Sequence, residues 1–306
     1  MFPEFFPARA IRQAIDGFVD HLVTDYASTL EAMARPLLNL LIWIEQVLRG
    51  SPWWAVTLVV IVIAWTVSRR IGFSIAMGAL LCVIGMLGLW DAGMQTLALM
   101  IVATGVSVVI GIPMGILMAR VDWLRQVMLP VLDVMQTIPS FVYLVPIVML
   151  FGVGMAPGII ATVIFALPPI VRLTNLGIRG VRHDLIEAAQ SFGSTRWQML
   201  WDLQLPMAMR TILAGLNQTL MLALSMVVIA ALIGAGGLGL VVNTGLGRLN
   251  VGEATSGGIG IVILAIVLDR ITQGLGEKGF GAAPSLTRTL AGFFRAASRA
   301  DGAKSG

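Results

Sequence analysis

Apolar residues run almost unbroken near 53–68, 71–89, 94–119, 131–152, 156–176, 211–234 and 256–274, with short polar joints between. A helix needs about 20 apolar residues to cross the ~30 Å hydrocarbon core of a bilayer. The pattern therefore predicts an all-α integral membrane protein with about seven transmembrane helices in a membrane domain over 53–274. Two stretches read differently. Within residues 1–50, Ile15, Phe18, Val19, Leu22, Tyr26, Leu30 and Met33 recur at helical spacing against Asp16, Asp20, Asp25 and Glu31, which predicts an N-terminal amphipathic helix. The run Leu37–Leu48 that follows is short and interrupted by Glu45 and Gln46. It fits a helix in the outer interface, with an eighth span as the alternative.

The second stretch, 183–206, is a polar hairpin between the fifth and sixth runs. Asp184-Leu185-Ile186-Glu187 has the form of a capping box with Asp184 as cap. Leu185, Ala188, Ala189 and Phe192 would share an apolar face, with Glu187, Gln190 and Ser191 pointing elsewhere. Gly193 supplies a left-handed residue to end the helix. Ser194 or Thr195 then caps a second short helix with a Trp197, Leu200, Trp201 stripe, and Pro206 closes it and starts the sixth span. Ala188 and Ala189 keep the first helix slim enough to enter a groove on a soluble partner. The alternatives are that Glu187 merely completes a cap and that the tryptophans rest on lipid headgroups.

Composition and charge extend the picture. The chain is 58% hydrophobic and 12% charged, against roughly a quarter charged in a soluble domain. With the amino terminus outside, fifteen of the 20 basic residues fall inside, Arg69, Arg70, Arg120, Arg125, Arg172, Arg179, Arg182, Arg196 and Arg210 among them. Between spans, only Arg248 lies outside. Lysine and arginine favour the cytoplasmic side, so the amino terminus is expected outside and the carboxyl terminus and hairpin inside. The pI near 10.0 follows from this sidedness, and nucleic-acid binding is not implied. Residues 275–306, rich in Gly, Ala, Ser and Arg, read as a loose basic cytoplasmic tail near anionic lipid. The first twenty residues carry several charges and no continuous apolar core, unlike a cleavable signal peptide.

Chemistry-bearing motifs are scarce. Gly234-Ala-Gly236-Gly-Leu-Gly239 spells a dinucleotide fingerprint, but a strand must precede one and an acid must follow about 20 residues on. An apolar span precedes it here, so it reads as a flexible outer loop ending span six. No G-x-x-x-x-G-K-[ST] loop exists to bind ATP. Cys82 is the single cysteine, His21 and His183 are far apart, and no nucleophile constellation or carboxylate pair stands out. A proton-driven carrier would be expected to keep buried carboxylates, at ~2.5–3.5 kcal/mol each on insertion scales. Only Asp133 and Asp269, the latter beside Arg270, lie in or near spans. Gly111-Ile-Pro113-Met-Gly115 offers a small-residue packing face with a kink. Pro139, Pro146, Pro168 and Pro169 would break spans four and five. Thr137, Pro139 and Ser140, with Asn217, Gln218, Thr219 and Ser225, are the candidate pathway lining, interhelical hydrogen bonding being the alternative.

The hairpin spacing carries a family resemblance. Glu187-Ala188-Ala189, three residues, Gly193, nine residues, then Leu203-Gln-Leu205-Pro206 resembles the Glu-Ala-Ala coupling loop of ATP-binding-cassette (ABC) importer permeases, departing only at Leu203, where the pattern has Ile. Gln136 to Tyr143, Arg172 to Arg179, and Asn217 to Ile229 are similar to the branch for glycine betaine, proline betaine and related quaternary ammonium compounds. The resemblance implies a type I permease subunit in a bacterial inner membrane, docking through Glu187, Ala188, Ala189, Gly193, Leu203, Leu205 and Pro206. It implies two permeases forming the path, cytoplasmic ATPases holding the ATP and magnesium, and an external substrate-binding protein. The chain itself would bind no cofactor and be no enzyme. A permease for an amino acid, taurine or methionine, and an ATP-independent channel or secondary carrier, stand as alternatives.

Overall fold

The computed structural model describes residues 8–278, and every regular element among them is helical. In chain order these are α1 (Ala8–Gly50), α2 (Trp53–Ser68), α3 (Ile71–Met86), α4 (Trp90–Arg120), α5 (Asp122–Thr137), α6 (Ser140–Phe151), α7 (Met155–Arg179), α8 (His183–Ser191), α9 (Arg196–Gln198), α10 (Leu205–Ala230), α11 (Gly237–Gly247) and α12 (Val251–Lys278). A π-helical segment, Met199–Gln204, joins α9 to α10, and a 3-10 turn, Ala231–Ile233, ends α10. Together they form one helix from Arg196 to Ile233. The tail over 279–306, and the side chains of the lead's apolar stripe at Ile15, Phe18, Val19, Leu22, Leu30 and Met33, lie outside the described residues.

Among the described residues, four helices are long and apolar enough to cross a membrane: Trp90–Arg120, Met155–Arg179, Arg196–Ile233 and Val251–Gly274. Two pairs qualify only together and are sharply bent, Ala34–Gly50 with α2 at 106° and α5 with α6 at 99°. The 16 residues of α3 span ~24 Å, short of the hydrocarbon thickness. About seven spans were expected; among the described residues there are four, or up to six with each bent pair counted as one. Proline explains part of the difference. Pro139 lacks an N–H and crowds the preceding turn, and Ile138 before it is extended, with ψ 126°. The run 131–152 is therefore two helices. Pro168 and Pro169 were expected to break span five but do not. Both are buried inside continuous α7, which α4 and α10 grip from two sides. Pro146 likewise sits inside α6 without a break.

The core is where α4, α7 and α10 meet, and small residues bring them together. A Cβ at Gly111 would lie 2.4 Å from Ile170 Cγ2, and one at Gly115 would lie 2.5 Å from Thr174 Cβ. On α10, a Cβ at Gly215 would stand 3.0 Å from Leu173 Cβ. The packing reading of Gly111 to Gly115 therefore holds, since close backbone approach is how membrane helices gain dispersion contacts. Leu41 is fully buried against this core, with Leu37, Ile44 and Leu48 packed around it. Residues 37–48 thus pack as an arm on the domain. Glu45 does not interrupt the arm; it is buried and pairs with the exposed Arg49, whose guanidinium lies 3.0 Å away and also reaches Asp91 at the start of α4.

The glycine motif after α10 is ordered as well. Gly236 and Gly237 have φ of +81° and +74°, a region glycine enters without steric cost. The turn starts α11, whose first amides are taken by α4 side chains: Gly237 N–H donates to Gln95 Oε1 at 2.8 Å, and Leu238 N–H to Thr96 Oγ1 at 2.8 Å. The expected flexible loop is therefore pinned, and amides a dinucleotide phosphate would need are already occupied.

Candidate functional site

The hairpin is built from α8, the turn Phe192–Thr195, and the foot of the long Arg196–Ile233 helix. α8 starts at His183 with Arg182 as its cap residue, and no side chain caps it. The Asp184 capping box is therefore not formed. Asp184 instead accepts from Arg182 Nε at 3.1 Å. That guanidinium holds the Asp184 carboxyl below the ordinary carboxylate range. His183 Nδ1 lies 3.1 Å from Glu187 Oε1, one turn along the same exposed face. Gly193 ends the helix at φ +80°, as expected. The Ser194 N–H donates back to Ala189 O at 3.0 Å and Gly193 N–H to Gln190 O at 2.9 Å, which closes the last turn. Thr195 then caps the next helix in a full capping box with Gln198.

The two ends of the motif have opposite environments. Glu187, Ala188 and Gly193 are exposed and Ala189 is half-buried. Phe192, placed on the apolar face by its spacing, is 91% exposed at the tip. Leu205 is buried, and Leu203 and Pro206 are half-buried. The Trp197–Leu200–Trp201 stripe divides: Leu200 joins Ile170, Ile178, Leu205 and Ile212 in the core, while both tryptophans are largely exposed. Pro206 does not close a separate helix. The π-helical turn before it lets the missing proline N–H and the ring's bulk be absorbed, with Leu205 N–H donating to Leu200 O. From Arg196 to Ile233 is 38 residues, ~57 Å of helix, which continues the sixth span into the hairpin. Sequence reasoning missed the clamp at its foot. Arg120, at the end of α4, donates to Arg196 O at 2.9 Å and lies 5.2 Å from the Trp197 ring centroid. The signal was an arginine one residue past a span, beside an exposed tryptophan in the hairpin.

The pathway candidates do not converge on one surface. On α10, Gln218 and Ser225 are exposed along the face that includes Met221 and Leu232. Ser225 donates to Met221 O at 3.0 Å. Asn217 faces another way, its Oδ1 accepting from Thr272 Oγ1 of α12 at 2.8 Å. Thr219 is buried, its hydroxyl without a partner among the described residues. Around the α5–α6 break, Thr137 and Pro139 are exposed and Ser140 is half-buried. Asp133 pairs with Arg172 of α7, and Asp269 accepts from Gln273 Nε2 at 2.7 Å. Both carboxylates are thus bonded within the fold.

This geometry can be set beside known proteins. Residues 111–276 match the family model for the binding-protein-dependent transport system inner membrane component. The chain belongs to this family. It is 52% identical over 259 residues to the glycine betaine/proline betaine transport system permease protein ProW of Escherichia coli, covering 85% of this chain and 73% of that protein. It is 44% identical over 273 residues to the glycine betaine transport system permease protein OpuAB of Bacillus subtilis, covering 89% and 96%. An inward-facing structure of the MetNI methionine ABC transporter superposes with a TM-score of 0.53 at 22% identity, over 62% of this chain and 93% of that one. At that identity the likeness speaks for the fold alone. As a permease of this family the chain is a multi-pass inner-membrane transport subunit and not an enzyme, and its family works with a separate ATPase and a substrate-binding protein. The matched segment runs from the packing face at Gly111 through the hairpin to α12.

Proposed function

We propose that this permease forms, as a homodimer, the membrane path of an ATP-driven importer for glycine betaine, proline betaine or a related quaternary ammonium compound. One observation carries the reading. The hairpin offers its Glu-Ala-Ala end to solvent, buries its Leu-x-Leu-Pro end in the core, and is continuous with the sixth span. A load applied at Glu187, Ala188, Ala189 and Gly193 would pass through the turn closed by Gly193 and the Thr195 capping box to Leu203, Leu205 and Pro206. ATP and magnesium belong to the partner ATPase, whose closure pulls this lever and exchanges inward- and outward-open packings of the spans. The external binding protein delivers the cargo. The names of the relatives support the substrate class, and so does the pathway chemistry. Gln218 and Ser225 are neutral and exposed, and both span carboxylates are bonded, so a compact zwitterion meets polarity without a fixed charge to hold it.

The test is reconstitution with the partner ATPase and binding protein in liposomes. Glycine betaine should accumulate inside only when ATP is supplied, with methionine, taurine and other amino acids excluded. Uptake of one of those instead would reassign the cargo. Uptake without ATP would make the chain a channel or secondary carrier.

A further inference from the structure

The inner ends of α2, α3 and α12 enclose a cavity of 540 Å³ lined by Ser68, Arg70, Phe73, Arg270 and Gln273. Nothing in the transport reading uses it. Arg70 and Arg270 come from opposite ends of the sequence, yet both guanidiniums border the same cavity. Neither has an acidic side chain within ion-pair distance among the described residues. Three other arginines at this end of the bundle are matched, Arg172 by Asp133, Arg179 by Asp122 and Arg182 by Asp184; what sets Arg70 and Arg270 apart is that they line one cavity together. Two unmatched cations around one polar cavity repel each other and attract an anion. The helix places the pair at a definite depth. From Val251 at the outer start of α12 to Arg270 is 19 residues, ~29 Å, or one hydrocarbon thickness. Beside the cavity, Ile71 and Ile75 of α3 and Val262 and Ile266 of α12 turn exposed apolar side chains outward. Arg69, next to Arg70, lies 5.8 Å from the Trp65 ring centroid, the arginine–aromatic pairing suited to a membrane interface.

We propose that this cavity is a site for the phosphodiester of an anionic phospholipid of the inner leaflet, held between Arg70 and Arg270, with its acyl chains along the apolar faces of α3 and α12. The chemistry is that of a phosphate group met by two guanidiniums; of the other polar lining groups, the Ser68 hydroxyl donates to Ala64 O and the Gln273 amide to the Asp269 carboxylate. The apolar walls favour a lipid over a soluble phosphate. The chain's own tail is a poor occupant, since residues 279–306 hold Arg288, Arg295, Arg299 and Lys304 against Asp301 alone.

Native mass spectrometry of the full chain, released from nanodiscs of phosphatidylglycerol or of phosphatidylcholine, tests this without relying on transport. Wild type should retain phosphatidylglycerol and not phosphatidylcholine. Each of Arg70→Gln and Arg270→Gln should weaken retention about fivefold, and the lysine variants at the same positions should keep most of it. Arg248→Gln, outside the cavity, should change nothing, and equal melting temperatures would show that all variants fold. Undiminished phosphatidylglycerol retention in the Arg70→Gln/Arg270→Gln double variant would overturn the proposal. Saturation of the cavity by millimolar inorganic phosphate, with displacement of the lipid, would overturn the lipid assignment in favour of a soluble anion.

Discussion

Replacing Gly193 isolates the backbone from every other contribution to the hairpin. Its φ is +80°, and no atom lies within 4 Å of where a Cβ would be, so a substitution meets no neighbour. The cost is that of placing an L-residue in the left-handed region, ~1–2 kcal/mol, with the β-branched valine at the upper end and asparagine well below it. At 1.4 kcal/mol per factor of ten, Gly193→Val should deplete the native turn by roughly 5- to 30-fold. The turn has little reserve against this. The nine residues of α8 are too few for a stable isolated helix, and its fixed points are the Thr195 capping box and the closing bonds to Ala189 and Gln190. With the partner ATPase in liposomes, stimulated ATP hydrolysis and uptake should fall together in the order glycine, asparagine, alanine, valine, at unchanged membrane levels of the permease. Normal uptake by Gly193→Val would remove the hairpin as the lever. Asparagine as damaging as valine would show that a side chain at this position obstructs the partner, and the dihedral argument would fail.

Gly115→Ala places a Cβ 2.5 Å from Thr174 Cβ and 2.7 Å from the Val171 carbonyl oxygen, so it should destabilise the protein by ~1–3 kcal/mol. A lowered melting temperature in detergent reads this, against Gly105→Ala, where nothing stands within 4 Å. In a version with Cys82 replaced, cysteine at Ser225 should react with small water-soluble thiol reagents, at a rate that changes when ATP is trapped on the partner. Cysteine at Thr219, which is buried, should stay protected; equal protection of both in both states would take α10 out of the pathway. Reporter fusions after Arg70 and Arg125 should score cytoplasmic and one near Arg248 external, and a cytoplasmic Arg248 would overturn the proposed orientation.

Much of the hairpin was legible in the sequence because its signals are local. A left-handed Gly193, a cap at Ser194 or Thr195, and the spacing from Glu187 to Pro206 each depend on neighbours within one or two turns; the structure settles the cap on Thr195, with Gln198. The all-α class was equally legible, since apolar composition and the demand for internal backbone hydrogen bonding leave a membrane-spanning chain few other choices. What the spacing could not give was direction. Helices apolar on every side carry weak periodicity, so nothing in the sequence distinguished Asn217, which turns to Thr272 of α12, from Gln218 on the open face. Nor did proline by itself fix where a helix stops. Pro139 breaks one, whereas α7 runs through Pro168 and Pro169 and a π-helical turn carries the long helix past Pro206. The burial of Leu41 and the pinning of Gly237 by Gln95, 142 positions earlier, are long-range in the same sense. Local chemistry sets which helices and turns form, while the choice of which faces meet, and which breaks persist, belongs to the packing of distant segments, because only there is the freed backbone or the polar side chain given its partner.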